Sequence, residues 1–248
     1  MTVRQSINKA RAKMYHFATN FTVVKISAMG VMVGYILLLI IGVFVAMFLD
    51  PDGYTFWNNW ISDLGSINDT PAPYLYDIAC ITAGILTIPI TFYMENLLAP
   101  LPRKTKMRGE HFSRLRFRLS SFAFLSSIIG NFAYIGVGIF SADRNYNLIS
   151  SLGIGFHDLM SYLAFGGFTF GAFFMGWLIV FYDTKIPKIL GIYGIIGPLT
   201  VAILNLVEGI PLPGPLLEWM LLLAILIWLI PLSLIVLNKP ELVPKRTE

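Results

Sequence analysis

Six long apolar stretches are the feature that most constrains how this chain can fold. Each is close to the roughly 20 residues that an α-helix needs to cross the hydrocarbon core of a bilayer. They are continuously apolar, unlike the alternating segments of a transmembrane β-barrel, so they are expected to be helical. The predicted transmembrane spans are residues 26–49, 74–97, 119–141, 157–182, 189–208 and 216–237.

The low charge content excludes a water-soluble domain. Only 13% of the residues are charged, against about 25% in an ordinary globular domain, and the mean hydropathy is +0.71. The sequence therefore predicts an all-α, polytopic membrane protein built as a six-transmembrane-helix bundle. Residues 26–237 form this predicted domain. Residues 1–25 are predicted to be a cytoplasmic amphipathic or interfacial segment, and residues 238–248 a cytoplasmic tail.

The basic residues predict the orientation of the bundle. The chain has 18 Lys and Arg residues. If both termini are cytoplasmic, all of them except Arg144 fall in cytoplasmic segments. Because basic residues concentrate on the cytoplasmic side of helical membrane proteins, we expect a multi-pass protein of the plasma (cytoplasmic) membrane with its N-terminus and C-terminus inside.

Two basic segments are candidate contacts for anionic inner-leaflet lipids. The first segment is Arg4–Lys25. Within it Ile7, Met14 and Phe17 fall on one helical face, which is typical of an interfacial helix; a solvated tail is the alternative. The second, Arg103–Arg118, can equally be a determinant of topology alone. Since this connection has no base-reading motif, we expect no nucleic-acid partner.

Small residues and the polar residues at mid-depth bear on packing and transport. Gly167 and Gly171 form a G-x-x-x-G spacing that lets helix backbones approach closely, either within the bundle or in a homo-oligomer. Few polar residues lie near the middle of the predicted spans: they are Asn131 and a few Ser and Thr residues, and none is ionisable. This argues against ion-coupled transport and leaves a small-molecule transporter as a secondary alternative.

Most of the other polar residues gather at the predicted extracytoplasmic ends of the helices, where they could converge on one acidic and aromatic cap. They are Trp57, Trp60, Ser62, Asp63, Asp77, Asp143, Arg144, His157, Asp158, Glu208 and Glu218.

Three functions are open for this cap, and the first is structural. In that interpretation Arg144 pairs with Asp63, Asp143 or Glu208. Carboxylates that open helices, Asp77 and Asp158, would cap the helix N-termini and favour the helix dipole.

The second interpretation is a metal-assisted lipid hydrolase. Its candidate catalytic residues are Asp63, Asp77, His157 and Asp158, and its candidate metal ligands are Asp63, Asp77 and His157. Ser161 lies four positions after His157 on the same helical face, but no G-x-S-x-G motif accompanies it, which disfavours a serine hydrolase.

The third interpretation is recognition of a lipid headgroup or a membrane partner protein without chemistry or a cofactor. The candidate binding residues are Trp57, Trp60, Ser62, Asp63, Asp143, Arg144, His157 and Glu208.

Short motifs give the chain a family resemblance. It carries Ser62-Asp63-Leu64-Gly65 after the first span, a Gly- and Phe-rich segment from Gly136 to Phe140, and His157 at the start of the fourth span. In these features it resembles the DRAM-like six-helix membrane proteins, in particular their uncharacterised prokaryotic relatives. That family often has Glu-Arg near the end of the fifth helix, where this chain has Glu208-Gly209. The resemblance implies a six-helix architecture and no particular activity.

The leading functional prediction is therefore a non-catalytic integral membrane protein. Its extracytoplasmic cap would bind lipid headgroups or a membrane partner protein. The alternatives are the membrane-embedded, metal-assisted lipid hydrolase and the small-molecule transporter.

Overall fold

The computed structural model describes residues 3–50, 53–99, 110–144, 147–149, 153–207 and 209–238. Helices dominate these residues, and six spans are long and apolar enough to cross a membrane. The predicted six-helix, all-α bundle is confirmed, and the chain is a multi-pass integral membrane protein. The helices are α1 (Val3–Ala18), α2 (Phe21–Met29), α3 (Ile36–Leu49), α4 (Tyr74–Leu98), α5 (Glu110–Ile139), α6 (Phe156–Phe181), α7 (Lys188–Leu206) and α8 (Gly214–Asn238).

The first span is one long helix with an irregular middle. The π-helical segment Gly30–Tyr35 joins α2 to α3, so the span runs from Phe21 to Leu49. Its start is fixed by Asn20, whose side-chain oxygen accepts hydrogen bonds from the N–H groups of Thr22 (2.9 Å) and Val23 (3.4 Å). Because this N-cap separates α1 from α2, the predicted segment 1–25 divides into a separate helix and the first turns of the first span.

Short elements connect the helices at one end of the bundle. Two 3₁₀ turns, Ile61–Gly65 and Ala142–Arg144, follow α3 and α5 respectively. A minimal antiparallel pair joins Asn147–Ile149 to Ile154–Gly155, directly before α6. We call this end, with the 3₁₀ turns and the N-termini of α4, α6 and α8, the polar end.

The backbones of α5 and α6 lie in close contact. A Cβ added to Gly167 would lie 2.5 Å from the backbone nitrogen of Gly130, and one added to Gly171 would collide with the Ser127 hydroxyl. The G-x-x-x-G pair of α6 therefore packs inside the bundle against α5. Such close backbone contact replaces the hydrophobic driving force that helices lack in lipid.

The other helices extend from this pair. α4 packs on the other side of α5, and α7 packs on α6. α8 contacts both α6 and α7, and the first span lies against α4. Apolar side chains exposed on the outer faces, such as Phe44, Phe132 and Ile196, suit contact with lipid tails.

Candidate functional site

A buried tyrosine organises the loop that precedes the first 3₁₀ turn of the polar end. The Tyr54 hydroxyl donates a hydrogen bond to the Trp60 carbonyl (2.8 Å) and accepts one from the Trp219 indole N–H of α8 (3.2 Å). Burial raises the pKa of Tyr54 far above its usual range, so the hydroxyl stays neutral and able to donate. The Trp60 ring also lies against the first residue of α8, since a Cβ on Gly214 would come within 2.5 Å of it.

The Ser62-Asp63-Leu64-Gly65 motif forms the 3₁₀ turn Ile61–Gly65. Leu64 is buried, and Asp63 Oδ2 accepts a hydrogen bond from the Trp60 N–H at 2.7 Å. From α8, Glu218 Oε2 accepts one from the Ile61 N–H at 2.9 Å. Partial burial, offset in part by the Trp60 hydrogen bond, raises the pKa of Asp63 to about 6.

Gly65 lets this turn lie directly on the first turn of α4. A Cβ at Gly65 would stand 3.1 Å from both Asp77 Oδ1 and the Tyr76 ring. A larger residue would therefore push the loop away from α4. This contact brings the motif next to Asp77.

Arg144 forms an ion pair, but with a partner that the sequence did not predict. Its Nη2 donates to Asp77 Oδ2 at 2.5 Å, and its Nε donates to Ser141 Oγ at 3.0 Å. The predicted pairing with Asp63 or Asp143 is wrong, because both of these carboxylates are directed to loop backbone instead.

Asp143 instead holds the loop after the first 3₁₀ turn. Its two oxygens accept hydrogen bonds from the Ile67 N–H (2.6 Å) and from the Asn68 side-chain amide (3.4 Å). The third predicted partner of Arg144, Glu208, lies outside the described residues.

The N-terminus of α6 places His157 and Asp158 side by side. Asp158 Oδ2 accepts a hydrogen bond from the Gly155 N–H at 2.9 Å, which confirms the predicted capping role. His157 is buried, and its Nδ1 lies 2.6 Å from the Phe140 carbonyl oxygen. Because a carbonyl can only accept, Nδ1 carries the proton. In the neutral ring Nε2 is then the acceptor for the Ser161 hydroxyl, 3.4 Å away.

A cavity of about 300 Å³ opens between the first 3₁₀ turn and the N-termini of α6 and α8. Four of the predicted site residues line it, together with Glu218, a residue of the predicted cap with no predicted site role. The lining residues are Trp60, Ser62, Ala142, His157, Asp158, Ser161, Tyr162 and Glu218.

The other predicted site residues lie outside this lining. Trp57 is exposed, Asp77 and Arg144 pair with each other, and Asp63 and Asp143 bind loop backbone. The signal that could have found Glu218 is its position as the acid that opens an otherwise uncharged apolar helix. Ser161 and Tyr162 follow His157 by about one helical turn, which places them near the same helix surface.

The candidate metal ligands do not form a metal-binding group. Among the residues that the structure describes, no three His, Cys, Asp or Glu side chains are arranged to hold a metal ion. Asp77 is engaged by Arg144, and Asp63 by the Trp60 N–H, so neither joins His157 in a common site.

At mid-depth, Asn131 belongs to a closed hydrogen-bond cluster. It is fully buried; its side-chain oxygen accepts from the Thr87 hydroxyl (2.8 Å), and its amide donates to Thr91 Oγ1 (3.0 Å). The two adjacent cavities measure about 40 Å³ each, enough for water but not for a larger molecule. This cluster stabilises the packing of α4 on α5.

The basic connection Arg103–Arg118 is described only from residue 110 onward. There Arg116 Nε donates to the Leu98 carbonyl at the end of α4 (2.8 Å), and its guanidinium lies 5.1 Å from the centre of the Tyr182 ring. This arginine therefore caps a helix C-terminus.

Comparisons of the chain with models of protein families, with curated proteins and with solved structures gave no match. The resemblance to the DRAM-like proteins stays a prediction. The fold and the site define the class alone: a multi-pass helical membrane protein with a polar cavity at one end.

Proposed function

We propose that the protein binds the ammonium headgroup of a membrane phospholipid in the cavity at the polar end, without converting it chemically. The observation that carries this proposal is the composition of the cavity wall. Two carboxylates, Asp158 and Glu218, lie there with the aromatic side chains of Trp60 and Tyr162. Carboxylates attract a cation through charge, and aromatic faces attract it through their quadrupole.

The shape and position of the cavity support a lipid headgroup over a partner protein. A concave volume of about 300 Å³ is at the lower end of the range of small-molecule sites, about 300–1,000 Å³. It lies at the ends of apolar spans, where Trp and Tyr side chains commonly sit at headgroup level. With both termini cytoplasmic, as the basic residues predict, this end faces the extracytoplasmic leaflet of the plasma membrane.

The test is retention of phosphatidylethanolamine, measured by native mass spectrometry of protein released from mixed-lipid nanodiscs. We expect Glu218→Gln to lower this retention at least about fivefold, the effect of removing ~1 kcal/mol of charge attraction. The amide keeps an oxygen that can accept from the Ile61 N–H, so the loop anchor survives. Phosphatidylglycerol, which lacks the ammonium group, should be retained equally by the wild type and by Glu218→Gln.

Asp143→Asn is the matched control, because Asp143 is a carboxylate of the same end that does not line the cavity. We expect this variant to retain phosphatidylethanolamine as the wild type does. Equal losses in the two variants, or phosphatidylethanolamine retention that Glu218→Gln does not lower, would contradict the proposal.

The Ser161–His157 contact favours a second candidate, hydrolysis of a lipid ester. In that reaction Ser161 Oγ attacks the ester carbonyl while His157 Nε2 takes the hydroxyl proton and then delivers it to the departing alkoxide. Water, deprotonated by the same histidine, then releases the fatty acid and restores the serine. The 3.4 Å separation is long for a hydrogen bond between such groups, as often occurs before substrate binds.

A fluorophosphonate probe distinguishes the two candidates. Covalent labelling that is lost in both Ser161→Ala and His157→Ala would support the hydrolase, because it requires a serine that the histidine activates. Headgroup retention without labelling would support binding alone.

A further inference from the structure

A large apolar groove lies between α1 and α4. It measures about 820 Å³ and lies between α1 and residues 85–95 of α4, next to Phe124 of α5. It shares no lining residue with the polar-end cavity. Its walls include Ile7, Met14 and Phe17 of α1 and Ile85, Ile88 and Phe92 of α4. Met14 and Phe17 remain 71% and 66% exposed, so α1 presents its apolar face to the groove without filling it.

Contacts near the C-terminal end of α4 fix α1 beside the groove. The Tyr15 hydroxyl donates to Glu95 Oε2 at 2.9 Å, and the Tyr15 and Phe92 rings meet edge to face with centroids 5.9 Å apart. The carboxylate that lines the groove is thereby engaged by a neutral donor. α1 is held in place while its apolar face stays open.

The charge of α1 is entirely positive. Between residues 3 and 18 the chain has four Lys and Arg residues and no Asp or Glu; the four are Arg4, Lys9, Arg11 and Lys13. Of these, Arg11 lines the groove. In the described part of the chain the one ion pair joins Asp77 to Arg144, so Arg11 has no carboxylate partner there.

We propose that this groove holds an acyl chain of an anionic phospholipid, with the lipid phosphate bound by Arg11. An apolar groove in a membrane protein favours hydrocarbon over water, and acyl chains surround every span. The arginine at its edge supplies the complementary charge, since guanidinium binds phosphate through paired, charge-assisted hydrogen bonds. The groove thus extends the predicted lipid contact of Arg4–Lys25 to one defined site.

The first test compares two charge-neutralising variants of α1 in nanodiscs that contain phosphatidylglycerol and phosphatidylcholine. Arg11→Gln should lower the phosphatidylglycerol retained in native mass spectra about fivefold, the effect of one basic residue near an anionic surface. Lys9→Gln, which changes the same charge on the same helix outside the groove lining, should leave the retention unchanged. Equal losses would overturn the proposal in favour of diffuse attraction to the surface.

The second test fills the groove. Ala10 lines it, and Ala10→Trp should displace the retained phosphatidylglycerol while size-exclusion profile and helical circular dichroism stay those of the wild type. Unchanged retention in a folded Ala10→Trp variant would overturn the proposal. So would a dimer that persists after delipidation and disappears in Ala10→Trp, because a second copy would then occupy the groove.

The two proposed lipid sites can be tested independently of each other. Glu218→Gln should leave phosphatidylglycerol retention unchanged, and Arg11→Gln should leave phosphatidylethanolamine retention unchanged, because the variants lie in separate cavities.

Discussion

Replacing Gly167 by alanine tests the contact on which the bundle is built. A Cβ at this position would lie 2.5 Å from Gly130 N, 2.6 Å from Gly130 Cα and 2.7 Å from the Ser126 carbonyl oxygen. All three neighbours are backbone atoms of α5, so no side-chain rotation can relieve the clash. The two helices must move apart, which loosens the contacts along their whole interface.

The magnitude follows from two opposed effects. Overpacking in a close-packed interior costs about 1–3 kcal/mol, whereas replacing glycine by alanine inside a helix favours folding by up to ~1 kcal/mol. The Gly166→Ala variant distinguishes the two effects, because a Cβ at Gly166 meets nothing within 4 Å. The propensity gain is shared by the two variants, so their difference isolates the packing cost, and Gly167→Ala should be about 1–3 kcal/mol less stable than Gly166→Ala.

Reversible unfolding in mixed micelles, followed by circular dichroism as the denaturing detergent increases, measures this difference. We expect Gly166→Ala to match or exceed the stability of the wild type. If the two variants unfold together, α5 and α6 do not meet at Gly167 and the described interface is refuted. A wild-type homo-oligomer that Gly167→Ala dissociates would instead place the motif between chains.

Three further predictions concern charge and orientation. Arg144→Ala should cost about 1–2 kcal/mol of unfolding free energy, between the values for exposed and buried pairs, because the side chains of Arg144 and Asp77 are 49% and 16% exposed. Burial raises the pKa of Asp63 to about 6, above its usual value of about 3.9. Between pH of about 4 and about 6, Asp63 therefore binds a proton more often in the folded than in the unfolded state. The free energy of unfolding should accordingly fall as pH rises through this range. Asp63→Asn should remove this part of the pH dependence of thermal unfolding. In intact cells, a membrane-impermeant maleimide should label Ile67→Cys but not Lys9→Cys.

Each of these has a result that contradicts it. An Arg144→Ala variant as stable as the wild type would mean that the ion pair contributes nothing. If Asp63→Asn has the same pH profile as the wild type, the Asp63 carboxyl does not cause the pH dependence of stability. If Lys9→Cys is labelled from outside the cell, the predicted orientation is reversed.

The spans were predictable because crossing a bilayer requires a run of apolar residues whose length is fixed by the membrane. The ends of the helices were less predictable than the spans. α5 begins at Glu110, well before the predicted span at residue 119, because basic residues outside the hydrocarbon core can continue a helix. Hydropathy predicts the part of a helix that lies in lipid, but it does not predict the residue at which the helix begins.

The site was predictable in location but not in its pairings. Position along the spans sufficed to place Trp60, Ser62, His157 and Asp158 at one end. The partners of Glu218 and Arg144 depend on contacts between distant segments. Glu218 binds the N–H of Ile61, 157 positions earlier, and Arg144 reaches Asp77 across two helix ends. No local pattern encodes such contacts.

The excess of acidic residues at the polar end has a structural cause that also shapes the proposed function. Loop segments and first helical turns leave backbone N–H groups without partners in the helix, and carboxylates can accept from them. Four carboxylates do so here: Asp63, Asp143, Asp158 and Glu218. Two of these four, Asp158 and Glu218, also line the cavity. The hydrogen bonds that fix the loops therefore also fix the negative charge that an ammonium group would meet, so little ordering remains to oppose binding.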